Sequence, residues 1–559
     1  MNFFLKNIIS FIFFLYFLLG ITIYKDYGIT TDELQLRKYG FISGNYIAQK
    51  ILPSDKYDKI FNHVYSNEYR KVQPEKLENF REKHYGATFE MIAVFLEIIL
   101  GITSDNTYQF RHMLNFFVFF ISLIFFYKLL KNNTKNNYLS LLGVLLIVIH
   151  PHIFSHSFYN SKDIILLSFM IITSFFGYKF IKKTKLKYAV LFSMMVGLAT
   201  GVRVIGIITM PFFIFYYFSK DFKINIRKKI IYSTIILLGS IFFIILFWPF
   251  LWSNPVKNFL YTLTYMSNLP AEFGHTFLFA GELIKSTDLP WYYIFVIFII
   301  TTPVFINLLL TTSIFYFFYK FFYQINLRKF DEYFIENLSL LGIVFTPIIA
   351  IIFLKSNLFD SWRHLFFIYP FLVIFIINFI FQLIKTKYVK RYYKFLFIFF
   401  ISNLLYYSYW SYQNHPLQIT YYNNLYNKNT LQYFVKDYWG SSNKLLLDKV
   451  LKENPHGNIY FDFKDSNLYA SIQILKRSER ERFIYIGSAG SGTYPIGSDY
   501  LKNNYKIKDY YMFINLGDNS LFKEQKKLFA EHKKNSKWSY EIIADTIVIN
   551  AVYLKKYSQ

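Results

Sequence analysis

The chain has 559 residues, of which 54% are hydrophobic and 22% aromatic, including 68 Phe and 50 Tyr. A soluble protein of this size could not bury so much apolar surface, and runs of about 18 or more apolar residues, enough to cross a membrane, recur over the first 410 positions. The formal charge of +26 does not indicate a nucleic-acid partner, because Lys and Arg lie in short clusters between the apolar runs. The absence of cysteine excludes disulfides, thiolate catalysis and cysteine metal sites.

The first apolar run, residues 8–24, lacks the small-residue cleavage site of a secretory signal, which predicts an uncleaved helix that starts inside. Acidic and basic residues nearly balance over 25–88, so we expect this long loop on the external side. Residues 91–103 are apolar but too short for an ordinary span, and Glu90 and Glu97 interrupt them. Such a segment predicts a re-entrant or interfacial helix.

The remaining apolar runs, together with the first helix, predict about eleven crossings. They are residues 109–130, 138–153, 164–181, 188–202, 204–219, 229–250, 291–319, 337–354, 363–384 and 393–410. With this count, the basic clusters at 131–135, 182–187, 223–229, 328–329 and 385–394 all fall on one side of the membrane. Clusters of this kind mark cytoplasmic loops, so the opposite helix ends are external.

The last 149 residues change character, with strand-like runs at 458–461, 483–486, 510–514 and 546–549 and a helical pattern at 441–453. We therefore predict a mainly α, polytopic helical membrane domain over 1–410, which includes the external loop 25–88, and a small extracytoplasmic α/β domain over 411–559. No internal repeat is present at a fixed period.

Two adjacent carboxylates, Asp32 and Glu33, lie just outside the first span. Acidic groups beside lipid are costly, which favours a chemical role. We predict that both residues are catalytic, with Asp32 as a general base and Glu33 positioning the acceptor or the groups around it. The alternative is that both residues cap a short interfacial helix that begins after Thr31. Taken alone, the pair fits either reading equally well.

Further polar residues accumulate at the other external helix ends. We predict that they bind the substrate or its phosphate: Lys83, His84, Arg111, Lys162, Asp163, Arg203, Arg363 and His364. Any single cation of this kind more often extends to lipid headgroups, but several on one face describe a site for an anionic headgroup. Segments 415–424 and 437–440, rich in polar aromatics, are expected to dock the external domain or to line a shared cleft.

The spacing of His150, His152 and His156 does not place three imidazoles on one helical face, which argues against a zinc site. Asp32 could still help to bind a divalent cation. No cofactor is obligatory in this prediction, because neutralised phosphate is already a good leaving group.

Several motifs resemble the C-type membrane glycosyltransferases (GT-C), namely the protein O-mannosyltransferases and the bacterial aminoarabinose and related lipid-linked sugar transferases. They are Asp32–Glu33 within 28–40, the run 110–115, the run 159–163 and Arg363–His364–Leu365, with 415–424 and 437–440 also familiar from bacterial members. The similarity covers roughly residues 1–410. Many relatives carry His-Pro-Pro where this chain has His84–Tyr85–Gly86.

The resemblance implies a multi-pass enzyme of the bacterial inner membrane that takes a sugar from a polyprenyl phosphate and transfers it outside the cytoplasm, usually with inversion. The sequence leaves open whether the sugar is a hexose or a pentose, and whether the acceptor is a glycan, a lipid or a protein. The main alternative is a transporter or flippase of a lipid-linked glycan, although matching inverted halves are not evident. A third is a lipid-polymer ligase or polymerase, which would carry its long external loop late in the chain.

Overall fold

The computed structural model describes residues 2–58, 76–220, 225–267, 276–327, 330–359, 361–423, 425, 433–463, 467–486, 507–515, 522–544 and 547–556. The predicted basic residues Lys223, Arg328 and Lys329, and Thr546 of the last predicted strand, lie outside these ranges.

Helices dominate the first 413 residues. They are α1 Asn2–Ile23, α2 Thr31–Ile51, α3 Thr88–Ile99, α4 Thr107–Thr134, α5 Asn137–Val148, α6 Pro151–Tyr159, α7 Asp163–Lys183, α8 Leu186–Thr200, α9 Thr209–Lys220, α10 Ile226–Phe247, α11 Pro255–Ser267, α12 Tyr293–Thr301, α13 Val304–Asn326, α14 Glu332–Phe353, α15 Tyr369–Ile384 and α16 Lys387–Gln413. Short 3-10 helices at Val204–Ile208, Pro249–Trp252 and Arg363–Ile368 precede α9, α11 and α15, and a hairpin of β1 Thr276–Phe279 and β2 Glu282–Lys285 precedes α12.

Six helices within the described ranges are long and apolar enough to cross a membrane, and the bent pair α5 and α6 could form a seventh crossing. Shorter apolar helices are Asn7–Ile23, Leu186–Val202 and Val204–Lys220. The chain is thus a multi-pass helical membrane protein, as predicted, while the count of about eleven crossings stays a prediction. Every apolar run that the sequence indicated is helical.

Two of the predicted spans are broken by proline. The run 138–153 bends by 71° where α5 ends and Pro151 begins α6. The run 291–319 is likewise two helices, α12 and α13, with Pro303 as the N-cap of the second. Proline has no N–H to donate and clashes with the preceding turn, so a continuous helix is disfavoured at both points.

The short segment predicted as a re-entrant or interfacial helix forms α3, which has 12 residues. One face presents Phe95 and Ile99, each 61% exposed, while Glu97 is buried on the other. The Glu97 carboxylate accepts from Arg37 of α2 at 2.9 Å and from Arg111 of α4 at 2.7 Å. The glutamates that interrupt the apolar pattern therefore face protein, not lipid.

A mixed five-stranded sheet forms the end of the described chain, in the order β4-β3-β5-β7-β6. Its strands are β3 Ile459–Phe463, β4 Phe483–Tyr485, β5 Asp509–Asn515, β6 Trp538–Ala544 and β7 Ile547–Lys556, and its helices are α17 Asn443–Glu453, α18 Asn467–Ile472, α19 Arg477–Arg480 and α20 Phe522–Lys534. Strands β3, β4 and β5 are parallel, whereas β7 runs antiparallel to β5 and β6. The predicted α/β region is confirmed.

The sheet region shares its apolar core with the helical part. Leu446 and Val450 of α17 pack in one cluster with Ile29, from the loop before α2, and Tyr108 of α4. A hydrogen bond joins the same two parts of the chain: the backbone N–H of Arg477 donates to Oδ1 of Asp105 at 2.8 Å. The segment that leads into α2, whose first turn carries Asp32, is therefore packed against the sheet region.

Candidate functional site

A cleft of about 740 Å³ lies where several helix ends meet. Its polar lining includes Asp32, Glu82, His84, Lys162, Arg203, Arg363 and His364. Its apolar lining includes residues of α11 and α14 and the loop that follows, among them Leu263, Met266, Pro347, Ala350, Ile351 and Leu354. The cleft can thus accommodate a molecule with a charged head and a hydrocarbon tail.

Asp32 lies in the first turn of α2, where the helix dipole favours a carboxylate. Its side chain is 42% exposed and faces the cleft. The Oδ2 atom is 3.3 Å from Nη1 of Arg363, which places a cation beside the predicted base. Asp32 is therefore open to a substrate and paired with one of the predicted phosphate-binding residues.

Glu33 has a different place in the same turn. Its Oε1 accepts from the N–H of Thr30 at 2.8 Å and from the Thr30 hydroxyl at 3.1 Å, which closes a capping box. Its Oε2 is 2.9 Å from Nε2 of His112 on α4. Glu33 is 1% exposed and does not line the cleft. Its position fits the alternative that it caps α2, and does not fit direct contact with a substrate.

Asp163 aligns two guanidinium groups. The carboxylate begins α7 and is 1% exposed, with Arg203 Nη2 at 2.5 Å and Arg363 Nη1 at 3.2 Å. Asn160 completes its shell, since the Asn160 Nδ2 donates to Asp163 Oδ2 at 2.9 Å. Asp163 itself does not line the cleft, whereas both arginines do. We therefore assign Asp163 a positioning role behind the two cations.

Lys162 is the third basic group that faces the cleft. Its Nζ lies 3.9 Å from the ring centroid of Tyr85 and 5.8 Å from that of Tyr39. Burial holds the pKa of the Lys162 ammonium well below its usual range, and nearby Arg203 acts in the same direction. An anion in the cleft would favour the charged ammonium and so bind at this position.

His84 is a buried wall of the cleft. Its ring lies 3.9 Å, between centroids, from that of Tyr265 and 4.7 Å from that of Tyr85. Burial lowers the pKa of the imidazole to about 4, and the charge of Lys162 contributes. Neither ring nitrogen has a hydrogen-bond partner within the described residues. His364, which also lines the cleft, packs edge-on against Phe359 with 5.9 Å between ring centroids.

A close approach of two backbones brings the His84 turn to Arg203. A Cβ on Gly86 would lie 2.3 Å from the carbonyl oxygen of Gly201, a distance that no side chain tolerates. The N–H of Thr88 donates to the same carbonyl at 3.1 Å. Glycine at position 86 is thus required by packing, and it sets one wall of the cleft against the other.

Besides Asp163, the structure separates two more of the predicted phosphate-binding residues, Arg111 and Lys83, from this cleft. Arg111 is buried and forms ion pairs with Glu97 and Glu90 of α3, so its guanidinium links α4 to α3. Lys83 lines a different cavity of about 330 Å³ and donates to the carbonyl of Glu78. Consecutive side chains of a turn point in different directions, which is why Lys83 and His84 face different cavities.

Glu82 and Tyr39 are among the cleft residues that the sequence did not predict. Glu82 accepts from Gln35 Nε2 at 2.6 Å. It lies in the same turn as His84, so its nearness in sequence to a predicted site residue could have indicated that it lines the cleft. Tyr438 comes from the segment 437–440, which therefore contributes to the cleft as well as to docking.

No group of three or more His, Asp or Glu side chains within the described ranges could hold a metal ion. The three histidines of interest are buried: His150 Nε2 lies 3.3 Å from the Thr302 hydroxyl, and His152 Nε2 lies 2.9 Å from a backbone carbonyl. His156 Nδ1 is 3.0 Å from Nδ2 of Asn160, which holds Asp163. His156 is thus linked to the site through Asn160 and Asp163.

Fold and cleft together define a multi-pass membrane protein with a basic, amphipathic cleft. The sequence profile of the dolichyl-phosphate-mannose-protein mannosyltransferase family matches residues 90–252. This match confirms the resemblance to C-type membrane glycosyltransferases, and its segment contains Lys162, Asp163 and Arg203 but neither Asp32 nor Arg363.

Comparison with other proteins adds little beyond that profile. A search of curated protein sequences gives no match. Two crystal structures of ArnT from Cupriavidus metallidurans, one bound to undecaprenyl phosphate and one in the apo state, align over 98% of this chain and over 97% and 98% of theirs. Each is 9% identical with a TM-score of 0.43, too low for the likeness to bear on the site or the reaction.

Proposed function

We propose that the protein transfers a sugar from a polyprenyl-phosphate-linked donor to an acceptor on the extracytoplasmic side of the bacterial inner membrane. The observation that carries the proposal is the cleft, in which the accessible carboxylate of Asp32 lies together with Lys162, Arg203 and Arg363 and with an extensive apolar lining. The family matched by residues 90–252 is named for a dolichyl-phosphate-mannose donor, which belongs to the same chemical class.

The roles follow from the chemistry of glycosyl transfer. The donor phosphate is held by the basic groups of the cleft, while its hydrocarbon tail lies along α11 and α14. The acceptor oxygen or nitrogen attacks the anomeric carbon from the face opposite the phosphate and gives its proton to Asp32. As the new bond forms, the bond from carbon to phosphate oxygen breaks, and its electron pair remains on the phosphate, where the cations stabilise it.

Asp32→Asn tests this assignment, because it keeps the shape of the side chain and removes the base. We expect the transfer rate of the purified variant to fall by about 10²- to 10⁴-fold, the usual contribution of a general base. Asp55→Asn is the matched control, since Asp55 lies exposed in the same predicted loop and does not line the cleft. A parental rate for Asp32→Asn would remove Asp32 from the mechanism.

Radiolabelled donors separate the transferase from a transporter. Proteoliposomes with and without the protein are supplied with a panel of polyprenyl-phosphate sugars and with lipid, glycan and peptide acceptors. A transferase attaches label covalently to an acceptor, whereas a flippase moves the labelled lipid between leaflets without attaching it. Movement without attachment over the whole panel would contradict the proposal and favour the transporter.

A further inference from the structure

The aromatic ring of Trp439 lies against the guanidinium of Arg363. The Cζ atom of Arg363 is 4.6 Å from the ring centroid, and the Trp439 side chain is 2% exposed. Arg363 in turn lies 3.3 Å from Asp32 and 3.2 Å from Asp163. A planar guanidinium stacked on an aromatic face is restricted in its orientation, so Trp439 constrains the direction in which the Arg363 donors point.

A compact turn holds Trp439 in place. The carboxylate of Asp437 accepts from the N–H groups of Ser441 and Ser442 at 2.9 and 3.0 Å, and from both hydroxyls. From the sheet, Asn550 of β7 donates to the Ser442 hydroxyl at 2.8 Å. Contacts therefore run without interruption from β7 through the Asp437 turn to the ring that covers Arg363.

The same turn is pressed against the helical part. The Trp439 ring lies 5.1 Å from the ring of His156 and 5.9 Å from that of Tyr159, both on α6. A Cβ on Gly28 would lie 2.4 Å from the carbonyl oxygen of Ser441, so the loop that leads to α2 contacts this turn directly. The sheet region is thus fixed to α6 and to the loop that leads to α2.

We infer that Trp439 is a positioning residue, and that the C-terminal region completes the transfer site by orienting Arg363. This inference rests on the proposed transferase function. Attraction of the donor phosphate depends mainly on the presence of the cations, whereas stabilisation of the charge that develops on the leaving oxygen depends on where their donors point. Loss of the ring should therefore lower kcat more than it changes KM.

Two substitutions of Trp439 separate orientation from packing. Trp439→Phe keeps an aromatic face over Arg363, whereas Trp439→Leu keeps an apolar side chain and removes that face. We expect kcat of the Leu variant to fall roughly tenfold, as for loss of a buried cation–π contact, while the Phe variant stays within about threefold of the parental value. KM should change by less than about threefold in both.

Phe154→Leu is the matched control, because Phe154 packs in the same apolar cluster as Trp439 and has no described contact with Arg363. Kinetics and the apparent melting temperature are measured for the full-length parent and all three variants. If Trp439→Leu keeps the parental kcat, or loses no more than Phe154→Leu, the ring only fills space and the inference is overturned. If the parent itself transfers no sugar, the proposed function fails instead, and the inference falls with it.

Discussion

Asp163 offers the sharpest test of how the cations are held. Asp163→Asn removes one negative charge without changing the size of the side chain. Arg203 and Arg363 then lose the carboxylate that lies 2.5 and 3.2 Å from them. The variant therefore exposes two guanidiniums to mutual repulsion inside the protein.

The size of the effect follows from burial. Removal of one partner from a buried ion pair typically costs about 3–5 kcal/mol, because the remaining charge is left without compensation. Arg203 is 19% exposed and the cleft admits water, so we expect the low end, about 3 kcal/mol. The apparent melting temperature of the detergent-purified protein should fall by several degrees, and kcat should fall because both cations lose their alignment.

Asp448→Asn is the control for the same chemical change at the surface. Asp448 pairs with Lys444 at 2.6 Å within α17, but its side chain is 39% exposed. Such a pair contributes about 0.5 kcal/mol or less, so the melting temperature should hardly move. If Asp163→Asn were no more destabilised than Asp448→Asn, the idea that Asp163 compensates two buried cations would be refuted.

Two further predictions concern pH. Because burial holds the pKa of Lys162 low and a bound anion raises it, binding of a polyprenyl-phosphate sugar should take up a proton and weaken as pH rises through the pKa of the free ammonium. Titration calorimetry in buffers of different ionisation enthalpy measures that uptake, which Lys162→Arg should abolish; no uptake by the parent would contradict this account. Burial lowers the pKa of His84 from 6.5 to about 4, so the unfolded chain binds the proton more readily and the folded state should lose stability as pH falls from about 6.5 towards 4. The melting temperature of His84→Phe should therefore change less with pH over this range than that of the parent. Equal dependence on pH in the two proteins would show that His84 does not titrate in this way.

Much of the fold could be predicted because length and apolarity of a segment dictate a membrane helix. Every predicted run is helical, yet runs 138–153 and 291–319 were joined across Pro151 and Pro303. The length of an apolar run does not predict where a helix bends, whereas a proline within the run does. The sheet region was equally accessible, because its strands are short apolar runs separated by polar stretches.

The site was predictable only in part, for a geometric reason. Asp32, Lys162 and Arg363 converge because each lies at a helix end on the predicted external side, which topology alone places close together. Arg111 lies at such an end as well, but the rotation of α4 points it towards Glu97. Helix rotation and turn direction depend on tertiary packing, so the sequence could predict which helix ends lie on the same side and not the direction of each side chain.

The balance of charge in the cleft bears on why a phosphate-linked donor fits the proposed reaction. With Lys162 protonated, three basic groups balance three carboxylates, because Asp32 and Glu82 line the cleft and Asp163 lies behind it. A polyprenyl-phosphate sugar is a phosphodiester with a single negative charge, so on binding it shares Arg203 and Arg363 with the carboxylates that already hold them. When the bond to the sugar breaks, the leaving phosphate gains negative charge while Asp32 accepts a proton and loses its own. Arg363 is released from Asp32 and is then free to stabilise the leaving group, so the cleft matches the transition state better than the bound donor.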